Sequence, residues 1–135
     1  MINYKVNKKN GVVIAFFGDD SKSSRNAIIW RANILNYLFK KLGYPYHKTQ
    51  IPPAIYDIVS NIVYNKSKFV GIARCKGADV FDEEVGKNLA KENLLKRYFA
   101  ARDMCVEAVR KYFINNFVAK LEVVTRGFWY DCFWY

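Results

Sequence analysis

The amino-acid sequence predicts an α+β fold: a small antiparallel sheet, made of an N-terminal hairpin and one later strand, packed on two long helices. Three observations carry this. "NG" at Asn10-Gly11 separates two β-type segments, "INYKVNKK" and "VVIAFF", which is the strongest short-range hairpin signal. Apolar residues then recur at three-four spacing from Ser24 to Leu42, the period of one helix face. A second, longer helical pattern follows the acidic turn around Asp82.

Each element follows from its own residues. Residues 2–17 read as a hairpin with a two-residue turn at Asn10-Gly11, and "GDDSKSS" as the polar loop that caps the next helix. In that helix Ile28, Ala32, Leu35, Phe39 and Leu42 form one stripe, and Gly43 is a good stop. "YPYHKTQIPP" reads as a loop. Residues 54–64 leave two readings open: Pro53 opens a helix that Ile55, Ile58, Val59, Ile62 and Val63 fit, whereas their β-branched content suits a strand. The helix is the reading adopted. "KFVGIARC", residues 68–75, is a strand with Phe69, Gly71, Ala73 and Cys75 on one side and Val70, Ile72 and Arg74 on the other. Asp82 is the expected N-cap of the last helix, with Glu83 and Glu84 complementing its dipole, and the pattern runs to about residue 120.

The 135 residues read as a single domain, 1–135, large enough to bury a core. Apolar residues make up 52% of the chain and aromatics 17%, which excludes disorder. The 22 Lys and Arg against 12 Asp and Glu give a net charge of +10. A field of this sign concentrates phosphate-bearing partners. Cys75, Cys105 and Cys132 have no CxxC spacing, which points to a reduced, cytoplasmic setting rather than a disulfide framework. "MINYKVNKKN" has no apolar leader core, and no stretch approaches 18 apolar residues, so neither secretion nor a membrane partner is expected.

Catalytic templates are poorly matched. His47 is the only histidine and sits in a Tyr/Pro-rich loop; there is no GxSxG, no HExxH and no Cys/His metal spacing. "GADVFDEEVGK" lacks P-loop spacing, and its acids repel phosphate. The expectation is a protein that is not an enzyme, with no cofactor and no metal.

On a wheel of the last helix at about 100° per residue, Leu94, Tyr98, Ala101, Cys105, Ala108, Val109 and Tyr112 share the core face. Glu92, Lys96, Asp103, Glu107 and Arg110 lie opposite. A second apolar row, Leu95, Phe99, Val106, Phe113 and Phe117, together with the aromatic tail "GFWYDCFWY", either contacts another subunit, so that a homo-oligomer is expected, or is covered within one chain by the tail and the first helix. Glu83–Lys87, Glu92–Lys96, Glu107–Lys111 and Glu107–Arg110 form helix pairs. Lys91, Arg97 and Arg102 lack such a partner, and Lys91 and Arg102 point nearly the same way, about 16 Å apart along the axis. Either their stems snorkel over apolar surface, or they hold phosphates beside the ring of Tyr98. Asn93 lies on the face of Arg97, where an amide can read an adenine edge. Phe81 either staples the helix start or stacks a ligand base beside the strand end, where Arg74 projects. The candidate ligand-binding set is Arg74, Phe81, Lys91, Asn93, Arg97, Tyr98 and Arg102.

The segment "KFVGIARCKGADVFDEEVGKNLAKENLLKRYF", residues 68–99, resembles a recurring segment of small phage and prophage proteins. Its form is a strand with a small residue and a cysteine, a D-x-F-D-type turn, then G-K-x-L-A opening a long helix. The opening "YKVNKKNGVVIAFF" also suits that group. The best-characterised members it resembles are Thoeris anti-defence 1-like proteins, sponges that bind cyclic ADP-ribose-type signals and, in some cases, small cyclic oligonucleotides without cleaving them. This chain has "KENLLK" where an arginine–alanine pair often follows the lysines. The resemblance implies a phage anti-defence protein that sequesters a cyclic nucleotide immune signal in the host cytoplasm. Two other classes stay open: an inhibitor, such as an anti-CRISPR, that binds a host defence protein directly, and a basic nucleic-acid binder resembling a double-stranded-RNA-binding fold.

Overall fold

The computed structural model describes residues 1–42, 52–76 and 80–134, with side chains for 1–41, 52–76 and 80–116. Two strands, β1 (Ile2–Asn7) and β2 (Val12–Phe17), precede a helix, α1 (Ser23–Leu42). A second helix, α2 (Pro53–Tyr64), leads to strand β3 (Gly71–Arg74) and the last helix, α3 (Glu83–Trp134). The strands form one antiparallel sheet in the order β1-β2-β3. This is the expected α+β architecture, with a 20-residue α1 and a 52-residue α3 as the long helices.

The hairpin turn differs from expectation. Asn7 pairs with Val12, so four residues close it rather than two. Asn10 N–H donates to Asn7 Oδ1 at 3.1 Å, an Asx-type bond that holds the wider loop. Gly11 takes a left-handed φ of +63°, which glycine adopts without steric penalty. Its carbonyl accepts from Cys75 N–H at 2.7 Å, tying the loop to the chain just past β3.

α2 settles the ambiguous segment as a helix. Pro53 stands in its first turn, and Ile55, Val59 and Val63 bury completely at i,i+4 spacing. Burying each such side chain contributes roughly 1.5–3 kcal/mol.

α1 forms as expected, but a different face turns inward. Ala27, Trp30, Ile34 and Leu38 join Leu35 and Phe39 in the core, while Ile28 is 51% exposed and Ala32 lies on the surface. The two rows have the same helical period. The one carrying Trp30 wins because the indole packs edge-on against Phe69 and Tyr98, with centroids 5.0 and 5.5 Å away. The side chain of Leu42 lies outside the described residues.

α3 also runs past its expected end near residue 120. No proline follows Pro53, and Gly127 alone costs about 1 kcal/mol in a helix, too little to end one. Ala90, Leu94, Ala101, Cys105 and Val109 bury on the expected face. Of the second row, Val106 and Phe113 pack against the chain's own core. The side chains of Phe117 and the aromatic tail, like the 44–51 loop with His47, lie outside the described residues.

α3 lies across β3, and Gly71 is where they meet. A Cβ at Gly71 would come within 2.0 Å of the Ala90 carbonyl oxygen and 2.3 Å of the Leu94 nitrogen. Only a residue without a side chain permits this backbone approach. β3 is an edge strand, and α3 reaches backbone along it: Asn93 Nδ2 donates to Ile72 O at 2.8 Å, and Arg97 Nη1 to Val70 O, just before the strand, at 2.9 Å. Among the described residues no helix is long and apolar enough to cross a membrane.

Candidate functional site

The C-terminal end of β3, the hairpin loop and the first two turns of α3 surround a recess of about 250 Å³. Val13 and Ala73 supply its apolar interior, Phe81, Val85 and Leu89 its helix side, and Arg74, Lys76 and Asp82 its charged rim. Strand alternation sends Ala73 inward and Arg74 outward, as its sequence parity requires. Phe81 packs partly against the core, directly before the helix cap.

The acids at this joint are structural. Asp82 Oδ1 accepts the N–H groups of Glu84 at 3.0 Å and Val85 at 3.3 Å, which makes it the expected N-cap. Glu83 lies 3.2 Å from Lys87 Nζ and 3.7 Å from Lys8 Nζ. Asp82 keeps its negative charge at the rim, beside the cations Arg74 and Lys76. Asp79 lies outside the described residues. Among the described residues no group of three or more His, Cys, Asp or Glu could hold a metal.

The seven candidate residues separate into four places. Arg74 and Phe81 share the recess. Lys91 is exposed on α3, without an ion pair among the described residues. Asn93 and Arg97 each give a donor to the backbone at β3, as described above; Arg97 stands at the opposite end of the strand from the recess.

Tyr98 belongs to the aromatic core, edge-on to Phe17 at 5.2 Å and to Trp30. Burial raises its pKa above the ordinary tyrosine value against the lowering effect of Arg102, with a further raising contribution from Cys105. The Arg102 guanidinium lies between the rings of Tyr37 and Phe99, 4.3 and 4.6 Å from their centroids. Its Nε is buried without a hydrogen bond, and the nearest carboxylate, Asp103 Oδ1, is 3.9 Å away. Arg102 therefore acts here as a cation between two π-faces.

Of the expected helix pairs, Glu83–Lys87 and Glu107–Arg110 approach within 4 Å. Glu92–Lys96 and Glu107–Lys111 are not among the ion pairs of the described residues.

Gly11 was legible in the sequence as a turn residue but not as part of a site, and Lys76, Val85 and Leu89 were not expected there. The paired glycine and cysteine backbone that seats the loop was not signalled. The exposure of Val85 and Leu89, 53% and 49%, becomes visible only once α3 is seated on the sheet. Chemically, the recess offers an apolar slot with an aromatic wall, and a mouth carrying two cations and the Asp82 carboxylate, an arrangement suited to a flat ring with a polar substituent. No protein-family model, no curated protein and no solved structure matches the chain.

Proposed function

We propose that this protein captures a phosphate-bearing nucleotide signal without cleaving it, using the recess at the end of β3. The ligand class is a cyclic nucleotide, of the cyclic ADP-ribose type or a cyclic oligonucleotide. The biological role is that of a phage anti-defence sponge in the host cytoplasm. The observation that supports this most is the meeting of Arg74 and Phe81 in one recess with an apolar interior. In this reading Phe81 stacks the base and Arg74 and Lys76 bind phosphate. A volume of about 250 Å³ suits one base, with the sugar-phosphate lying across the rim. The net charge of +10 favours anion encounter, and charge-assisted hydrogen bonds contribute roughly 1.5–3 kcal/mol each. Self-association through the exposed part of the second α3 row, Phe99 at 41% exposure, belongs to the same proposal.

A second reading, direct binding of a host defence protein, draws on one feature. Val80, Val85 and Leu89 expose apolar surface side by side around the recess. Isothermal titration with cyclic ADP-ribose and a panel of cyclic dinucleotides separates the readings. The sponge reading expects saturable binding that Arg74→Gln weakens about tenfold or more, equivalent to about 1.4 kcal/mol, and that Phe81→Leu also weakens. Absence of saturable binding across the panel, or affinity unchanged in both variants, overturns it. Binding of long polynucleotides with a steep salt dependence would instead identify the nucleic-acid class.

A further inference from the structure

At the other end of β3 lies a shallow notch of about 440 Å³, lined by Lys66, Ser67, Lys68 and Arg97 around Trp30 and Ala100. Three cations meet there, and no acidic side chain lines it. None of the three takes part in an ion pair among the described residues. Arg97 is held by its bond to Val70 O, which engages Nη1 and leaves the remaining guanidinium donors. Lys66 Nζ rests 3.2 Å from Met104 Sδ, a weak acceptor that does not neutralise it. Trp30 is 1% exposed, and its indole N–H has no hydrogen-bond partner.

We infer that this notch is a binding site for a phosphate-class oxyanion, a terminal phosphate or pyrophosphate group of a small molecule. Lys66, Lys68 and Arg97 supply the charge and Ser67 a hydroxyl, over the buried Trp30 indole at the floor of the notch. The competing account is that cations simply collect where α2 ends, since a helix C-terminus favours them. That account explains one residue. The helix end carries roughly half a negative charge, which Lys66 alone offsets, leaving Lys68 and Arg97 uncompensated. Like charges gathered at one surface notch repel each other, and an anion turns that repulsion into attraction. The assignment does not rest on the recess reading, because the two sites share no lining residue.

The test is a titration of the full-length ¹⁵N-labelled protein with inorganic pyrophosphate, ionic strength held constant with sodium chloride. The indole N–H resonance of Trp30 is expected to shift saturably. The double variant Lys66→Gln/Lys68→Gln should weaken the response about tenfold or more, with its amide spectrum otherwise native-like. Arg74→Gln, at the recess, should leave the response unchanged. A Trp30 resonance that stays still, that shifts equally with chloride alone, or that responds undiminished in the double variant overturns the assignment.

Discussion

The two ends of β3 are built from the same four-residue strand and the same covering helix, yet they present opposite surfaces. At the Arg74 end the interior is aliphatic and aromatic, and charge is confined to the rim. At the Lys68 end three cations gather around one buried indole. The difference arises in how α3 meets the strand. Near the Arg74 end α3 is in its first turns, its acids are engaged in capping and pairing, and Val85 and Leu89 face the gap. Two to three turns later the helix brings Arg97 alongside the end of α2, where Lys66 and Lys68 follow. One strand edge thus carries a surface suited to a ring at one end and to an anion at the other.

The contact that sets both ends is at Gly71, so it offers the largest perturbation. Gly71→Ala places a methyl against backbone atoms of α3 rather than against a side chain that could move aside. The expected cost is about 3 kcal/mol or more, the upper part of the range for overpacking. Urea unfolding measures it, and binding at both ends should fall together. A variant as stable as the native protein would show that α3 is not seated on the strand through this glycine, and the two ends would then need separate explanations.

Next in size is an alkaline loss of stability seated near the cationic end. Cys105 is fully buried, and burial pushes its thiol from 9.0 up to about 11, against a lowering influence of Lys66. A thiol with a raised pKa favours the protonated native state. Its contribution is therefore intact below pH 9, where neither state has ionised. It declines as the unfolded chain begins to release this proton, and is lost by about pH 11. The amount is about 2 kcal/mol. Unfolding at about pH 8.5 and about pH 10.5, native against Cys105→Ala, isolates this group from Tyr98, whose buried hydroxyl acts with the same sign. The variant should lose less stability over the interval. Lys66→Gln should push the thiol higher still and steepen the native loss. Equal slopes in native and Cys105→Ala proteins would show that this thiol ionises as freely in the fold as in the unfolded chain.

Much of this frame was legible in the sequence because it is local. Asp82 as a cap, the alternation of residues 69–75 and the buried face of α3 each depend on spacing within one element. Arg74 and Phe81 could be placed near each other because the strand end and the helix start are separated by a short turn. What stayed hidden is set between elements. The partners of Asn93 and Arg97 are carbonyls 21 and 27 residues earlier, and no helical wheel reveals them. The inward face of α1 was undecidable from period alone, because two apolar rows have the same spacing and only the ring contacts of Trp30 separate them. Lys66 and Lys68 read as ordinary charges after a helix until Arg97 arrives from α3.

The smallest effect is expected at the helix cap, and it tests whether the two ends are independent. Asp82→Ala removes the acceptor of two N–H groups in the first turn of α3, at a cost of about 1 kcal/mol. Gly86 N–H still has the Asp82 carbonyl at 2.9 Å, because that bond uses backbone, so the helix should shorten by a fraction of a turn rather than unwind. The change should therefore stay local. Hydrogen exchange should quicken at Glu84 and Val85, loosening the wall formed by Phe81 and Val85, while Ile72 and Leu94, next to and at the Gly71 contact, keep their protection. Ligand affinity at the recess should weaken with it, and the pyrophosphate response of Trp30 should remain. If protection at Leu94 or the Trp30 response fell along with the cap, the strand and helix would be opening as one unit, and the contrast between the two ends would be one of surface chemistry alone.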